Sequence, residues 1–252
     1  MKESQAYIER ITRVNRDYQR LDLAVDRSLS SLRAGQALLA RRMDKDYEAE
    51  QWHPYLRELW FPVEILASNM LVIEQPARSH FTPGQLLSVI GPVGQPFRFR
   101  QKLRNILLIA YNSTPAALLM MLAPLLERQV SITMVLMGAA RNYETSHLPG
   151  EIEIIQADDD LTWSDMVMTL GWADQVFAAV GPGDELEHLG DIMRVMRARR
   201  NDVPANFVFG VLQRQLPCGV GACQACMLNL RGTRKLQCVD GPAFDLTTLR
   251  LN

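Results

Sequence analysis

All four cysteines of this 252-residue chain lie in one window near its end, at Cys218, Cys223, Cys226 and Cys238. The window reads Leu216-Pro-Cys-Gly-Val-Gly-Ala-Cys-Gln-Ala-Cys-Met227 and is answered by Leu236-Gln-Cys-Val239. The spacing is C-x4-C-x2-C, then a fourth Cys after eleven intervening residues. Four thiolates so spaced hold two irons in a [2Fe–2S] cluster. A loop wrapping a compact anionic centre must turn tightly and aim backbone N–H groups at sulfur, and Gly219 and Gly221 permit the positive φ angles required. Structural zinc also takes four Cys, usually as two short knuckles; here only Cys223 and Cys226 form one, so zinc is the lesser reading. Disulfides fit a cytosolic chain poorly. Unrelated core cysteines would be scattered.

The length suffices for two domains and a small appendage. Net charge is −1, which gives no electrostatic case for nucleic acid or an anionic membrane as partner. The N-terminal residues 1–10 lack the apolar core of a signal peptide. The longest greasy stretch, Pro115 to Leu126, is too short to span a bilayer and reads as a buried helix. These features predict a soluble, cytoplasmic protein.

Residues 1–100 read as an antiparallel β-barrel. Strands are expected over Leu21–Asp26, Ala37–Arg42, Val63–Leu66, Met70–Glu74 and Leu86–Ile90, with turn residues between them. The aromatic-rich stretch from Tyr47 to Pro62, with Trp52, His53, Tyr55 and Trp60, reads first as core or loop packing and second as a ligand-stacking site. Gly91-Pro-Val-Gly-Gln-Pro-Phe97 reads as a domain boundary.

Residues 101–213 alternate strand and helix. Strands are expected over Asn105–Tyr111, Ser131–Met137, Glu151–Gln156, Gln175–Val180 and Asn206–Gln213. The helices are placed from Pro115, capped by Thr114, to about Arg128, over Leu161–Leu170 and over Glu185–Arg200. This alternation predicts a mostly parallel, doubly wound sheet with a ligand crevice at the C-terminal ends of its strands. Residues 214–252 form the cluster domain. The crevice is poorly equipped for phosphate, because the turn after Tyr111 has no glycine and keeps a pyrophosphate off the backbone. Asp158-Asp-Asp160 reads as a solvated loop with Asp160 as a cap, or less readily as a ribose site. Arg194, Arg197, Arg199 and Arg200 suit a helix C-terminus. The four His residues show no metal-ligand spacing.

The order of parts resembles the electron-transfer subunit of dihydroorotate dehydrogenase, an iron–sulfur branch of the ferredoxin–NADP reductase superfamily. Cys218 to Cys226, with Cys238-Val-Asp-Gly-Pro-Ala-Phe244, is similar to that family's cluster loop and C-x-D-G-P-V-F ending. Gly91–Phe97 looks like its G-P-L-G-x-x-F, and Gly181-Pro182 like its C-G-P. The resemblance implies a ferredoxin reductase-like body that carries FAD and passes electrons from NADH to an FMN-bearing subunit oxidising dihydroorotate to orotate, in pyrimidine biosynthesis. The motifs that would touch flavin or nicotinamide are altered. Arg57 stands for the flavin-binding Arg without its following Ser or Thr, Ala110–Pro115 replaces a glycine-rich loop, and Val180 replaces the Cys of C-G-P. Arg57, Thr114 and Gly181 are the remaining flavin or nucleotide candidates.

The expected function is therefore a one-electron relay subunit in a hetero-oligomer with a flavin-bearing redox partner, with no catalytic residue of its own. An NADH-oxidising FAD/[2Fe–2S] flavoenzyme and a non-redox assembly subunit with a structural metal clip stay open.

Overall fold

A computed structural model of the chain describes residues 2–43, 56–67, 69–158, 160–200 and 202–251. Trp52, His53, Tyr55 and Asp159 fall outside the described residues.

Seven strands make the first sheet: β1 (Lys2–Arg13), β2 (Tyr18–Ala24), β3 (Ala37–Arg42), β4 (Glu58–Trp60), β5 (Pro62–Ala67), β6 (Met70–Pro76) and β7 (Leu86–Val93). Their order is β4-β3-β7-β1-β2-β6-β5, all antiparallel. The two ends of the sheet, β4 and β5, are joined through Phe61 alone, so the sheet curls towards a barrel. Pro62, which has no N–H to give, stands at that corner. The first strand was not anticipated from the sequence. Its inward side chains Ala6 and Ile8 alternate, but the register shifts between Ile8 and Arg10, and a bulge of this kind breaks the period-two pattern. Trp60 is a core residue, edge-on to Phe81 with ring centroids 5.9 Å apart.

The second sheet holds β8 (Asn105–Tyr111), β9 (Ser131–Met137), β10 (Glu153–Gln156), β11 (Gln175–Val180) and β12 (Val208–Val211), all parallel, in the order β10-β9-β8-β11-β12. Its central strands are buried along nearly their whole length, as their continuous apolar runs require. The helix expected from Pro115 to about Arg128 is instead two pieces, α1 (Ala116–Leu119) and α2 (Leu122–Glu127). Pro124 is the physical cause: it has no N–H for the carbonyl of Met120, four residues back, and in a continuous helix its ring would clash with that carbonyl. The helix expected over Leu161–Leu170 starts later, as α3 (Met166–Trp172), because Leu161 and Asp165 take positive φ. Helix α4 spans Glu185–Arg199.

The tail contributes the hairpin β13 (Met227–Leu230)/β14 (Thr233–Leu236), the single turn α5 (Gln237–Asp240), and β15 (Ala243–Asp245). Strand β15 pairs antiparallel with β12 and becomes the edge of the second sheet. The tail is thus woven into the α/β body. Among the described residues, no helix is long and apolar enough to cross a membrane.

Candidate metal centre

The cluster loop lies against the barrel. Leu216, Cys226 and Cys238 pack with Leu39 of β3 and Val93 of β7 in one small apolar core. Gly219 has φ +68°, and a Cβ there would run into the Leu39 side chain. Gly221 has φ +78°, as expected for a tight wrap.

The four sulfurs fall into two pairs. Cys226 Sγ and Cys238 Sγ are 3.3 Å apart, both buried. Cys218 keeps company with Cys223, at the rim of the site, where Cys223 is exposed. The backbone N–H of Cys223 above all, with those of Val220 and Ala222, pulls the Cys218 thiol down to about 7. These amides therefore already point where they would stabilise a thiolate. Burial, then the neighbouring Cys226, pushes the Cys238 thiol up.

Two pairs of sulfurs suit two irons with two thiolates each. A single zinc ion would draw four ligands into one tetrahedron. The donor set thus fits a dinuclear cluster held by Cys218, Cys223, Cys226 and Cys238.

The outer face of the loop carries no Asp, Glu, Lys, Arg or His: none stands between Leu216 and Leu228. Val220 is 54% exposed and Val239, across from Gly221, 42% exposed. Leu216, beside the first cysteine of the window, is buried core. Arg231 and Arg234 stand exposed on the hairpin, whereas Lys235 is paired with Asp240 at 2.9 Å.

The flavin and nucleotide candidates lie apart from the cluster. Arg57 is spent within the barrel, donating to Ser88 O at 2.8 Å, Ser88 Oγ at 2.9 Å and Glu3 Oε1 at 2.6 Å. Thr114 is exposed and makes no capping bond to α1. Gly181 donates its N–H to Tyr111 O at 2.9 Å, and a Cβ there would strike the carbonyl of Asn112. Its smallness serves the contact between two strand ends.

The topological switch point lies between β8 and β11, and the chain's own polar groups bridge it. On the β9 side of β8, Asn112, at φ +54°, accepts from Ala139 N through Oδ1 at 3.1 Å, and across the switch point itself the bridge is Gln213. Gln213 Nε2 donates to Ser113 Oγ at 3.1 Å and to Val180 O at 3.0 Å. Its backbone N–H reaches Glu185 Oε1 at 2.5 Å, and Glu185, almost wholly buried, also pairs with Arg214 at 2.9 Å. No sequence signal marked this network, because its members come from three separate strand ends. Asp160 caps the turn at Thr162 and leaves α3 uncapped.

Residues 213–250 match the family model described as the iron–sulfur cluster binding domain of dihydroorotate dehydrogenase B. No curated protein matches the chain in sequence. Among solved structures, it is similar to an NADH-dependent reduced ferredoxin–NADP oxidoreductase studied for flavin-based electron bifurcation, with TM-score 0.72 and 19% identity over 98% of this chain and 90% of that one. It is also similar to the ferredoxin reductase of carbazole 1,9a-dioxygenase, with TM-score 0.61 and 12% identity over 86% and 69% of the two chains. A siderophore-interacting protein from Acinetobacter baumannii follows, with TM-score 0.58 and 13% identity over 82% and 88%. These likenesses show a ferredoxin reductase-like fold.

Proposed function

From a chain that belongs, through its cluster-binding tail, to the iron–sulfur electron-transfer subunit family of dihydroorotate dehydrogenase, we propose a relay subunit that passes single electrons between partner proteins and holds no flavin or nicotinamide of its own. The observation that carries this reading is the two-and-two pairing of the sulfurs under an uncharged, exposed loop. When bound, a [2Fe–2S] cluster supplies one-electron transfer. The chain's part is to keep one sulfur pair dry against Leu39 and Val93 while the Cys223 side faces outward. Val220 and Val239 make that outward face an apolar contact for a partner.

The geometry of the body supports a relay without FAD. The space between the cluster loop and the barrel, among Gly35, Leu59, Phe61, Val93, Leu216 and Gln237, is about 10 Å³, too little for a flavin ring. The crevice at the switch point is cross-linked by Gln213. A larger cavity of about 580 Å³ lies between the barrel and α1–α2, lined by apolar side chains such as Leu32, Phe97 and Met120. Its rim carries Glu64 and Glu127 against one cation, Arg33, and two carboxylates disfavour a pyrophosphate. Among the described residues, the barrel has no α-helix whose N-terminus could hold phosphate.

The test is composition and spectrum of anaerobically purified protein. We expect a red-brown protein with about two irons and two labile sulfides per chain, and no FAD in the supernatant after denaturation. Near-stoichiometric FAD would favour a flavoenzyme. Stoichiometric zinc without labile sulfide would reduce the site to a structural clip.

A further inference from the structure

We propose that the barrel-exit loop, Gly94 and Gln95, is a clip that positions the fourth cluster ligand, Cys238. The inference rests on the [2Fe–2S] reading of the four cysteines. Cys238 stands in α5, a single helical turn; Gln237 O accepts from Gly241 N–H at 3.0 Å, and the later carbonyls of so short a turn need partners from outside it. Two residues of a different body supply them. Gly94 N–H donates to Cys238 O at 3.1 Å, Gln95 N–H to Gly241 O at 2.5 Å, and Gln95 Nε2 to Val239 O at 2.9 Å.

The fit is close. Gly94 has φ +81°, and a Cβ there would lie 2.7 Å from Gly241 O, so no other residue allows the loop to approach. The carbonyl of Gly94 accepts from Gln36 Nε2 at 3.3 Å, which ties the clip back to the barrel. On its far side the same segment is held by the second sheet, where Gln237 Nε2 donates to Leu212 O at 3.1 Å and Leu212 N–H to Pro242 O at 3.1 Å. The limb bearing Cys218 and Cys223 touches the barrel through the apolar side chains of Leu39 and Val93. The two sulfur pairs are therefore positioned differently. Cys238 is presented to Cys226 by hydrogen bonds from the barrel, and Gln95 is the one side chain among those donors.

Gln95 is exposed and touches no sulfur, so its role is positioning. The experiment uses the full, cluster-loaded chain with Gln95→Leu, which removes the side-chain donor, and Gln95→Lys, which keeps one. Iron release to an added chelator is timed, and the electron paramagnetic resonance spectrum of the reduced cluster is recorded. Losing one hydrogen bond of ordinary strength corresponds to roughly a threefold to tenfold faster release in Gln95→Leu. Its spectrum should shift while the far-ultraviolet circular dichroism stays unchanged, and Gln95→Lys should match the parent. Release rates and spectra in Gln95→Leu identical to the parent's would overturn the clip, as would Gln95→Lys behaving like Gln95→Leu. A parent protein without labile sulfide sinks the cluster reading itself, and the clip with it. Gly94→Ala should retain less iron at purification. Because that variant can fail to fold, the Gln95 pair decides.

Discussion

Gly219 shows how one residue sets the depth of the cluster loop. It combines φ +68° with direct contact on Leu39, so any side chain would both strain the backbone and push the loop off the barrel. Gly219→Ala should cost about 1–3 kcal/mol from the backbone alone, and more through displaced packing. The measurement is the denaturation midpoint together with iron content at purification. A Gly219→Ala protein of parental stability and full iron would show that the loop tolerates retreat. The requirement for glycine was legible in the sequence, since a wrap around a compact centre needs positive φ. The partner that makes it severe, Leu39, lies 180 residues away, and no local pattern names it.

At the scale of elements, the joint between the barrel and the α/β body sets a buried polar cluster beside an apolar core shared by both. Strands β2 and β6 bring Arg20 and Glu74 together at 2.9 Å. From the segment after β9, Tyr143 donates to Glu74 Oε1 at 2.8 Å and lies 3.1 Å from His147 Nε2. Tyr18 stacks on Tyr143 with centroids 5.0 Å apart and donates to Glu144 O. Burial holds the His147 imidazole down at about 4, with Arg20 adding to the effect. The unfolded chain takes up this proton near pH 6.5, whereas the folded one resists it until about 4. Stability from this group is therefore complete above pH 6.5 and is lost as pH falls towards 4. Glu74, raised by burial, works in the opposite sense, so the His147 contribution is isolated by difference. Between pH 7.5 and 5 the parent should lose on the order of 1–2 kcal/mol more than His147→Gln. Urea denaturation at the two pH values measures it, and parallel losses in the two proteins would contradict it. Composition had left the four His residues without a role; this one is decided by packing across the joint.

At the scale of the molecule, the tail is tied to both the barrel and the α/β body. Its last strand β15 needs β12, α5 needs Gly94 and Gln95, and its loop needs Leu39 and Val93. A peptide of residues 213–252 should therefore fail to hold a cluster under conditions that reconstitute the full chain. Absorbance and labile sulfide after reconstitution are the measurement. A stable two-iron peptide would show that the body only decorates the cluster. The same weaving explains how the cysteine loop keeps Cys226 and Cys238 buried while Cys223 stands exposed.

Two properties were determined by the sequence alone, because each rests on short-range chemistry. The C-x4-C-x2-C spacing and its glycines specify the cluster, since ligand geometry is local to the loop. The continuous apolar runs Asn105–Tyr111, Ser131–Met137 and Gln175–Val180 specify central parallel strands, and the structure has them at those bounds. The tertiary structure alone decided what fills the spaces between elements. Gln213 bridges the switch point, Arg57 serves Glu3 and Ser88, and the barrel-exit loop grips Cys238. Each of these joins residues distant in the chain through one or two hydrogen bonds, and such pairings leave no periodicity in the sequence to read.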